Sequence, residues 1–416
     1  MRGSTERCTG ESRPKMAPLA RRISCCLDGR AMALLDQILE AYGPRRPAVL
    51  GTVVDLLGSG YRRPGARILI FDDGGHVGAI SGGCLEKDVA RNARAWVEDG
   101  PKTVLFDTRS NRFEPVGKYG TGCEGVVHLF LQPMPSPPSP SQQGLDPLAQ
   151  LAELRAAGQD AVLVTAYACT DDDAPLGCVA VVGGASQQWA DEFPHALRPA
   201  LSQAAEQTLQ DQRTAGLELE HEGATWRFLV EYARPPLELV VVGTGADAAA
   251  LVQVARPLGW RIRVIGTDPL KLDRPGFAGA DTVCLTSAAQ AAEVEVGRHS
   301  YVVQMTHHFE QDARMLPHWL ASPAPYVGLL GPKSRTARLM TQLHEEGALP
   351  DAGQIDKLAT PVGLDLGGED PYEVAVSIVS QIVARKNGRD GGPLSKRNAP
   401  IHEPHRVQTH TREVES

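Results

Sequence analysis

A glycine turn between two apolar strands limits what this chain can fold into more than any other feature. Residues 237–242 have the composition of a buried strand, and Gly243 and Gly245 precede a helical segment that runs to about residue 258. A second apolar strand over residues 261–265 ends near Asp268. Glycines at such a turn let the backbone approach a phosphate at a helix N-terminus, and an acid after the second strand meets a ribose hydroxyl. The pattern predicts a parallel βαβ unit.

Two further strand-to-turn segments follow in the same half of the chain. The strand over residues 301–305 ends at His307, and the strand that starts at Tyr326 leads through a glycine turn to Lys333. Open α/β sheets hold their ligands at the carboxyl ends of strands, although His307 and Lys333 are also typical of a solvated helix start. We predict a Rossmann-like domain over residues 233–385, whose ligand the fold alone does not establish. The candidate binding residues here are Gly243, Gly245, Asp268, His307 and Lys333.

Two glycine-dense loops in the N-terminal half each present a single cysteine, Cys84 or Cys123. Apolar residues recur at helical spacing after Cys84, and acids follow at positions 86 and 88, which predicts that Cys84 caps a helix N-terminus. Free N–H groups there favour a thiolate and can hold a phosphate. A single free cysteine is more often a small buried hydrophobe, so the repetition of the loop favours a binding role. The candidate residues are Ser81, Gly82, Gly83, Cys84, Gly122 and Cys123.

Composition limits the classes of function that remain. The chain has 416 residues and a formal net charge of -8 at pH 7, which allows two or three domains and gives no overall reason to expect nucleic acid as a partner. Its eight cysteines are scattered and include no C-x-x-C pair, unlike a disulfide scaffold. No apolar run reaches the roughly 20 residues of a membrane span. We expect a cytoplasmic protein without a membrane span.

Prolines and polar segments suggest how the chain is divided. A proline-rich loop at residues 133–146 is too stiff and polar to pack, and Pro235 and Pro236 are typical of a hinge between lobes. The polar ends lack the apolar residues that a core needs. The fold class is α/β, and the predicted organisation is a disordered or misassigned start at 1–31, a mixed α/β domain at 32–232, the Rossmann-like domain at 233–385 and a disordered tail at 386–416.

Seven segments spread over most of residues 48–385 form an ordered set that is more specific than any single motif. They are residues 58–66, 81–86, 120–123, 242–245, 305–307, 326–331, and 364–367 with 371–375. In this order they resemble the XdhC/CoxI family of accessory factors for molybdenum hydroxylases such as xanthine dehydrogenase and carbon monoxide dehydrogenase. The chain departs from many relatives at Ala246, where they carry histidine, and at Glu124, where they often carry glycine.

The resemblance implies a homodimeric protein that binds the molybdenum cofactor. It would support exchange of an oxo ligand for sulfido with a cysteine desulfurase-type sulfurase and would hand the cofactor to an apo molybdenum hydroxylase. Cys84 and Cys123 then become candidate neighbours of molybdenum, because a dithiolene-ligated metal is soft. Arg62 and Arg63 suit the phosphate of the pterin. We expect a cleft between the two lobes that brings the cysteines opposite His307.

Two alternatives stay open at this point. The Rossmann-like domain suits an NAD(P)-dependent oxidoreductase or a site for another nucleotide, and the whole chain could be a ligand-free assembly scaffold. The sequence offers no complete catalytic constellation. We therefore expect an accessory protein and not an enzyme.

Overall fold

The computed structural model describes residues 34–42, 47–58, 60–108, 125–134, 145–184, 186–285, 287–398 and 412–413. Within these ranges the strands form three sheets of five, six and six strands. The start predicted to be disordered, most of the proline-rich loop, and the second glycine loop with Gly122 and Cys123 lie outside the described residues. The predictions made for those segments therefore stay predictions.

The first sheet is antiparallel and comes from residues 47–133. Its elements, with the helices that accompany them, are α1 (Leu34–Tyr42), β1 (Pro47–Gly58), β2 (Arg67–Phe71), β3 (His76–Gly78), α2 (Glu86–Trp96), β4 (Lys102–Asp107) and β5 (Gly125–Pro133). The strand order is β3-β2-β1-β5-β4. Helix α2 buries Val89 and Ala93 against the sheet residues Val53, Ile68 and Leu129, which gives the apolar spacing after Cys84 its function in packing.

The second sheet is antiparallel over residues 161–233. Its elements are α3 (Pro147–Ala156), β6 (Ala161–Cys169), β7 (Gly177–Gly183), β8 (Ser186–Trp189), α4 (Arg198–Asp211), β9 (Ala215–His221) and β10 (Ala224–Ala233). Helix α4 covers one face and packs Leu201 and Ala205 with Val164 and Phe228.

A buried ion pair joins the first two sheets. Arg67 on β2 donates two hydrogen bonds to the carboxylate of Glu231 on β10, at 2.7 and 2.5 Å. Burial alone lowers the pKa of the Arg67 guanidinium, but the Glu231 carboxylate raises it, and the net shift is upward. Burial beside this pair raises the pKa of the Cys178 thiol to about 12. Cys178 is therefore a protonated packing residue.

The third sheet is parallel throughout and has the order β13-β12-β11-β14-β15-β16. This confirms the predicted α/β class with a mostly parallel C-terminal sheet. The elements are β11 (Glu238–Val242), α5 (Ala246–Ala255), β12 (Arg261–Gly266), α6 (Pro269–Leu272), β13 (Asp281–Cys284), β14 (Ser300–Gln304), α7 (Phe309–Ala321), β15 (Tyr326–Leu329), α8 (Lys333–Glu345), α9 (Ala352–Asp356), β16 (Leu358–Ala359) and α10 (Pro371–Lys386).

Helices cover both faces of the third sheet because alternate residues of each strand point to opposite sides. On β11, Leu239 and Val241 belong to the core formed with α5 and α10. Val240 and Val242 belong to the core formed with α7 and α8. The continuous apolar run at residues 237–242 is thus the mark of a strand that is buried on both faces.

The structure describes two parts of the segment after α10 that is predicted to be a disordered tail. Residues 387–398 continue from α10, and Gly391 lies so close to Leu364 that an added Cβ would come within 2.8 Å of its side chain. A two-residue strand, β17 (Arg412–Glu413), pairs in parallel with β9. Backbone pairing and close packing of a glycine order these parts despite their polar composition.

Asp160, at the start of β6, connects the second sheet to the third. Its buried carboxylate accepts hydrogen bonds from the Tyr232 hydroxyl at 2.6 Å and from Nε2 of His299 at 3.1 Å, and it pairs with Arg298 at 2.5 Å. Burial raises the pKa of this carboxyl. The hydrogen-bond donors and the Arg298 cation lower it by more, so the net pKa lies below its ordinary value. Asp160 is therefore charged at neutral pH and holds three groups at once.

The contacts between the second and third sheets lie at the amino edge of the parallel sheet. Arg298 and His299 immediately precede β14. Arg261, the first residue of β12, donates hydrogen bonds to the carbonyl oxygens of Arg155 and Ala156, at 2.8 and 3.0 Å. The described residues all belong to one compact unit, Ala31–Ser416. The carboxyl edge of the third sheet is opposite to these contacts.

We predict that Asp160→Asn lowers the free energy of unfolding by about 2 kcal/mol at pH 7, because the hydrogen bonds to a charged acceptor are weakened. The pKa of Asp160 is lower in the folded than in the unfolded chain, so its contribution is present above about pH 4 and is lost as the pH falls through the folded pKa. Urea unfolding at pH 7 and pH 3 measures both effects.

The exposed Asp172→Asn in the β6–β7 loop is the control and is expected to change stability by less than about 0.5 kcal/mol. An Asp160→Asn loss that is equally large at both pH values would contradict the electrostatic explanation.

Candidate functional site

The third sheet has its topological switch point between β11 and β14. Strands β12 and β13 lie on one side of β11, and β14, β15 and β16 lie on the other. A crevice opens at the carboxyl ends of the strands at such a point. The structure places Gly243 and Gly245 after β11, Asp268 after β12, His307 after β14 and Lys333 after β15, all at this edge.

Gly243 is required by the neighbouring strand. Its φ of +139° is a backbone conformation that favours glycine. A Cβ built on it would lie 2.5 Å from the carbonyl oxygen of Met305. The first glycine of the turn therefore permits the close approach of β11 and β14, and its presence needs no ligand.

His307 lies directly over the second glycine. A Cβ on Gly245 would be 3.3 Å from Nε2 of His307, and the same Nε2 is 3.4 Å from Oδ2 of Asp247 in the first turn of α5. His307 has a φ of +59°, which is uncommon for a residue other than glycine and typical of a specially held position. Its side chain is 54 % exposed.

A cavity of about 610 Å³ opens beside His307. Its walls come from the turn at Gly331 and Pro332 after β15, from Arg335 on α8, and from residues 361–368 before α10. This volume is typical of a site for a small molecule. Lys333, the predicted contact, starts α8 and is exposed, whereas Arg335, which the sequence analysis missed, lines the cavity.

Arg335 is held by a buried carboxylate. Its Nη1 lies 2.7 Å from Oδ2 of Asp312, and its guanidinium is 5.5 Å from the centre of the Phe309 ring. The other carboxylate oxygen of Asp312 accepts hydrogen bonds from Gln304 at 2.8 Å and from the Thr306 hydroxyl at 2.6 Å. The Asp312 carboxylate neutralises the charge of Arg335, but Nη1 and Nη2 of its guanidinium have no hydrogen-bond partner among the described residues. The network fixes the end of β14 just before His307.

Asp268 has a local structural contact. Its carboxylate accepts the N–H of Leu270 at 3.1 Å and caps the short helix α6. Its second oxygen lies 3.7 Å from the ammonium of Lys271. The cap uses one carboxylate oxygen, so the contact with a ribose that the sequence predicts stays a prediction.

The second candidate location is the glycine loop before α2. Helix α2 starts at Glu86 with Leu85 at its N-cap, so the prediction that Cys84 is the capping residue is wrong. The reason is that Ser81, and not Cys84, provides the acceptor for the N–H groups that precede the helix. Its hydroxyl oxygen accepts the N–H groups of Gly83 and Leu85, both at 3.1 Å, and the Cys84 thiol at 3.3 Å.

Glu86 sits beneath this loop as a buried carboxylate. It accepts the N–H groups of Ile80 and Ser81, at 3.0 and 2.7 Å, and the Ser81 hydroxyl at 2.5 Å. Burial raises the pKa of Glu86, but these donors lower it, and the net pKa lies below the ordinary value. Since the Ser81 proton is directed at Glu86, Ser81 faces the Cys84 sulfur as an acceptor and not as a donor to a thiolate.

The outer side of the loop is open. Gly83 has a φ of +107°, and a Cβ built on it would meet nothing within 4 Å. Gly82 faces the ring of Tyr61, which is 67 % exposed. The guanidinium of Arg62 lies 5.4 Å from the centre of that ring, and Arg63 follows it as a half-buried side chain.

The cavity beside His307 takes its walls from the C-terminal half of the chain alone, and Cys84 is not among its lining residues. The predicted shared cleft stays a prediction. The second and third sheets meet at the amino edge, at Asp160, whereas His307 lies at the carboxyl edge. A strand rises about 3.3 Å per residue, so the five-residue strands β11 and β14 separate the two edges by about 15 Å.

Within the part of the chain that the structure describes, no group of three or more histidine, cysteine, aspartate or glutamate side chains is arranged to hold a metal ion. None of the described helices is both long and apolar enough to cross a membrane.

Comparisons with known proteins cover both locations. The family described as "XdhC Rossmann domain" matches residues 239–382, and the "XdhC and CoxI family" matches residues 41–107. The chain is 28 % identical over 359 residues to a probable xanthine dehydrogenase component of Bacillus subtilis, and the match covers 85 % of this chain and 97 % of that protein. It is also 28 % identical over 180 residues to the "Uncharacterized protein YqeB" of Escherichia coli, over 43 % of this chain and 32 % of that protein.

A solved structure is also similar over most of its length. The crystal structure of a xanthine dehydrogenase from Bacillus halodurans has a TM-score of 0.65 and 26 % identity, and the match covers 88 % of this chain and 98 % of that chain. The arrangement of the three sheets is thus shared with a relative.

We predict that Ser81→Ala lowers the free energy of unfolding by about 2 kcal/mol, because the buried Glu86 carboxylate loses a donor and two loop N–H groups lose their acceptor. Urea unfolding measures the change. Ser202→Ala, which removes an exposed hydroxyl that contacts Gln187, is the matched control. Equal effects of the two substitutions would argue against the Ser81 network.

Proposed function

The chain belongs to the XdhC and CoxI family, and on this premise we propose that it is an accessory protein that binds the molybdenum cofactor. It holds the cofactor while a cysteine desulfurase-type sulfurase exchanges an oxo ligand for sulfido, and it then delivers the cofactor to an apo molybdenum hydroxylase. The relatives named xanthine dehydrogenase match over nearly their full length. This supports a client of the xanthine dehydrogenase or carbon monoxide dehydrogenase class.

The Cys84 loop fits the chemistry of this cofactor, and this fit carries the proposal. A thiol suits soft molybdenum, the exposed Tyr61 ring suits a planar pterin, and Arg62 suits a phosphate. The Nε atom of Arg62 is buried without a hydrogen-bond partner in the described part of the chain. A bound ligand would supply the missing acceptor. The open space over Gly83 admits a bulky group.

The residues of the loop would act by holding and orienting. Ser81 and Glu86 fix the backbone that carries Cys84, so the thiol is presented without reorganisation of the loop. The molybdenum centre, when bound, supplies the redox chemistry for the client enzyme. Cys123 as a second neighbour of the metal, and a homodimeric assembly, are proposed on the family premise alone.

A second candidate function is the NAD(P)-dependent oxidoreductase that the sequence left open. The cavity at the switch point of a parallel sheet, where many cofactors bind, favours it, whereas the contact between Asp247 and His307 at the first βα turn opposes it. Turnover of nicotinamide with a defined substrate would support it. A chain that binds a client protein and no small molecule would instead support an assembly scaffold.

We predict that the full chain, expressed in a molybdenum-replete host, carries molybdenum and a pterin that is detected as its fluorescent oxidation product. Cys84→Ala is expected to reduce both at least fivefold, because the soft ligand is lost, while the fold loses only about 1 kcal/mol. Molybdenum by mass spectrometry and pterin by fluorescence are measured on the same sample.

Cys284→Ala removes an exposed thiol on β13 and is the matched control, expected to leave both contents unchanged. Absence of pterin from the unmodified chain would overturn the proposed function. Full retention by Cys84→Ala would limit the thiol to a structural role.

A further inference from the structure

We propose that Asp247 and His307 close the first βα turn of the third sheet to ligands that carry a diphosphate bridge. The crevice at the switch point would then select against dinucleotides, in spite of its glycine fingerprint. The proposal concerns the third sheet alone and is independent of cofactor binding at the Cys84 loop.

A dinucleotide needs two things from such a turn. The diphosphate sits at the positive N-terminus of the first helix, and the second glycine keeps the space over the backbone free for close approach. Both requirements can be checked at α5 and Gly245.

The positive N-terminus of α5 already has a negative side chain beside it. Asp247 lies in the first turn of α5, two residues after Gly245, and its carboxylate is 28 % exposed. A carboxylate there is stabilised by the same helix dipole that would attract a phosphate. It would also repel the charges of a diphosphate at short range.

The space over Gly245 is taken by the His307 ring. Because Gly245 has no Cβ, the His307 ring can lie close to it: a Cβ built on Gly245 would be 3.3 Å from Nε2 of His307. The space over the glycine is therefore filled by the ring and is not open to a ligand. His307 is held there by Asp247 on one side and by the backbone of residue 306, whose Thr306 hydroxyl is bonded to Asp312. A diphosphate would have to displace a ring that the protein holds in a strained backbone conformation.

The remaining fingerprint residues also have partners within the chain. Gly243 serves the approach of Met305, and Asp268 caps α6. What stays open is the cavity on the side of β14, β15 and β16. We therefore assign to it a small ligand without a diphosphate bridge.

The test is equilibrium binding of NAD⁺, NADP⁺ and FAD to the full chain by titration calorimetry, with adenosine as a probe that has no phosphate. The unmodified chain is expected to show no saturation with the dinucleotides at millimolar concentration. Asp247→Asn removes the charge and frees His307 to donate to a phosphate, so dinucleotide affinity should rise at least about tenfold. Adenosine affinity should not rise.

Glu310→Gln is the matched control, because Glu310 is the second residue of α7, as Asp247 is of α5, at the same edge of the sheet. It is expected to give no gain. His307→Gly is a second route to the same opening, since glycine suits the φ of +59°, and it should also raise dinucleotide affinity. Micromolar binding of NAD⁺ by the unmodified chain, an equal gain for adenosine or with Glu310→Gln, or no gain in both Asp247→Asn and His307→Gly would overturn the proposal.

Discussion

The carboxylate of Asp160 holds the second and third sheets together, and this contact determines which edge of the third sheet faces the N-terminal half. One buried charge collects Tyr232 from the second sheet and Arg298 and His299 from the third. Because these donors lie at the amino ends of parallel strands, the N-terminal half is fixed against that edge. The carboxyl edge, with its cavity, lies at the opposite ends of these strands.

The two sites differ in how they treat charge. At the Cys84 loop the protein satisfies its own polar groups beneath the surface, through Ser81 and Glu86, and leaves the outer side open. At the switch point Asp247 contacts His307 and Asp312 pairs with Arg335. The first arrangement suits capture of a large soft group, and the second suits a smaller ligand.

The glycine motif therefore predicts the local fold correctly, but it does not determine which ligand the turn binds. The glycines after β11 do mark a strand-turn-helix unit, as the sequence predicts, and the order of the sheet is the one that such units build. Their spatial neighbours, however, come from the end of β14, far later in the chain. A glycine that makes space for a phosphate in a dinucleotide-binding turn here makes space for a carbonyl oxygen or an imidazole.

The sequence by itself determined the α/β class, four of the six strands of the third sheet and the edge at which Gly243, Asp268, His307 and Lys333 lie, because periodicity and strand polarity are local properties. Only the tertiary structure decided that Leu85 and not Cys84 caps α2, that Arg335 and not Lys333 lines the cavity, and that Asp247 meets His307. Each of these outcomes depends on which side chains lie within contact distance of one another. Those distances join residues far apart in the chain, and no local sequence pattern contains them.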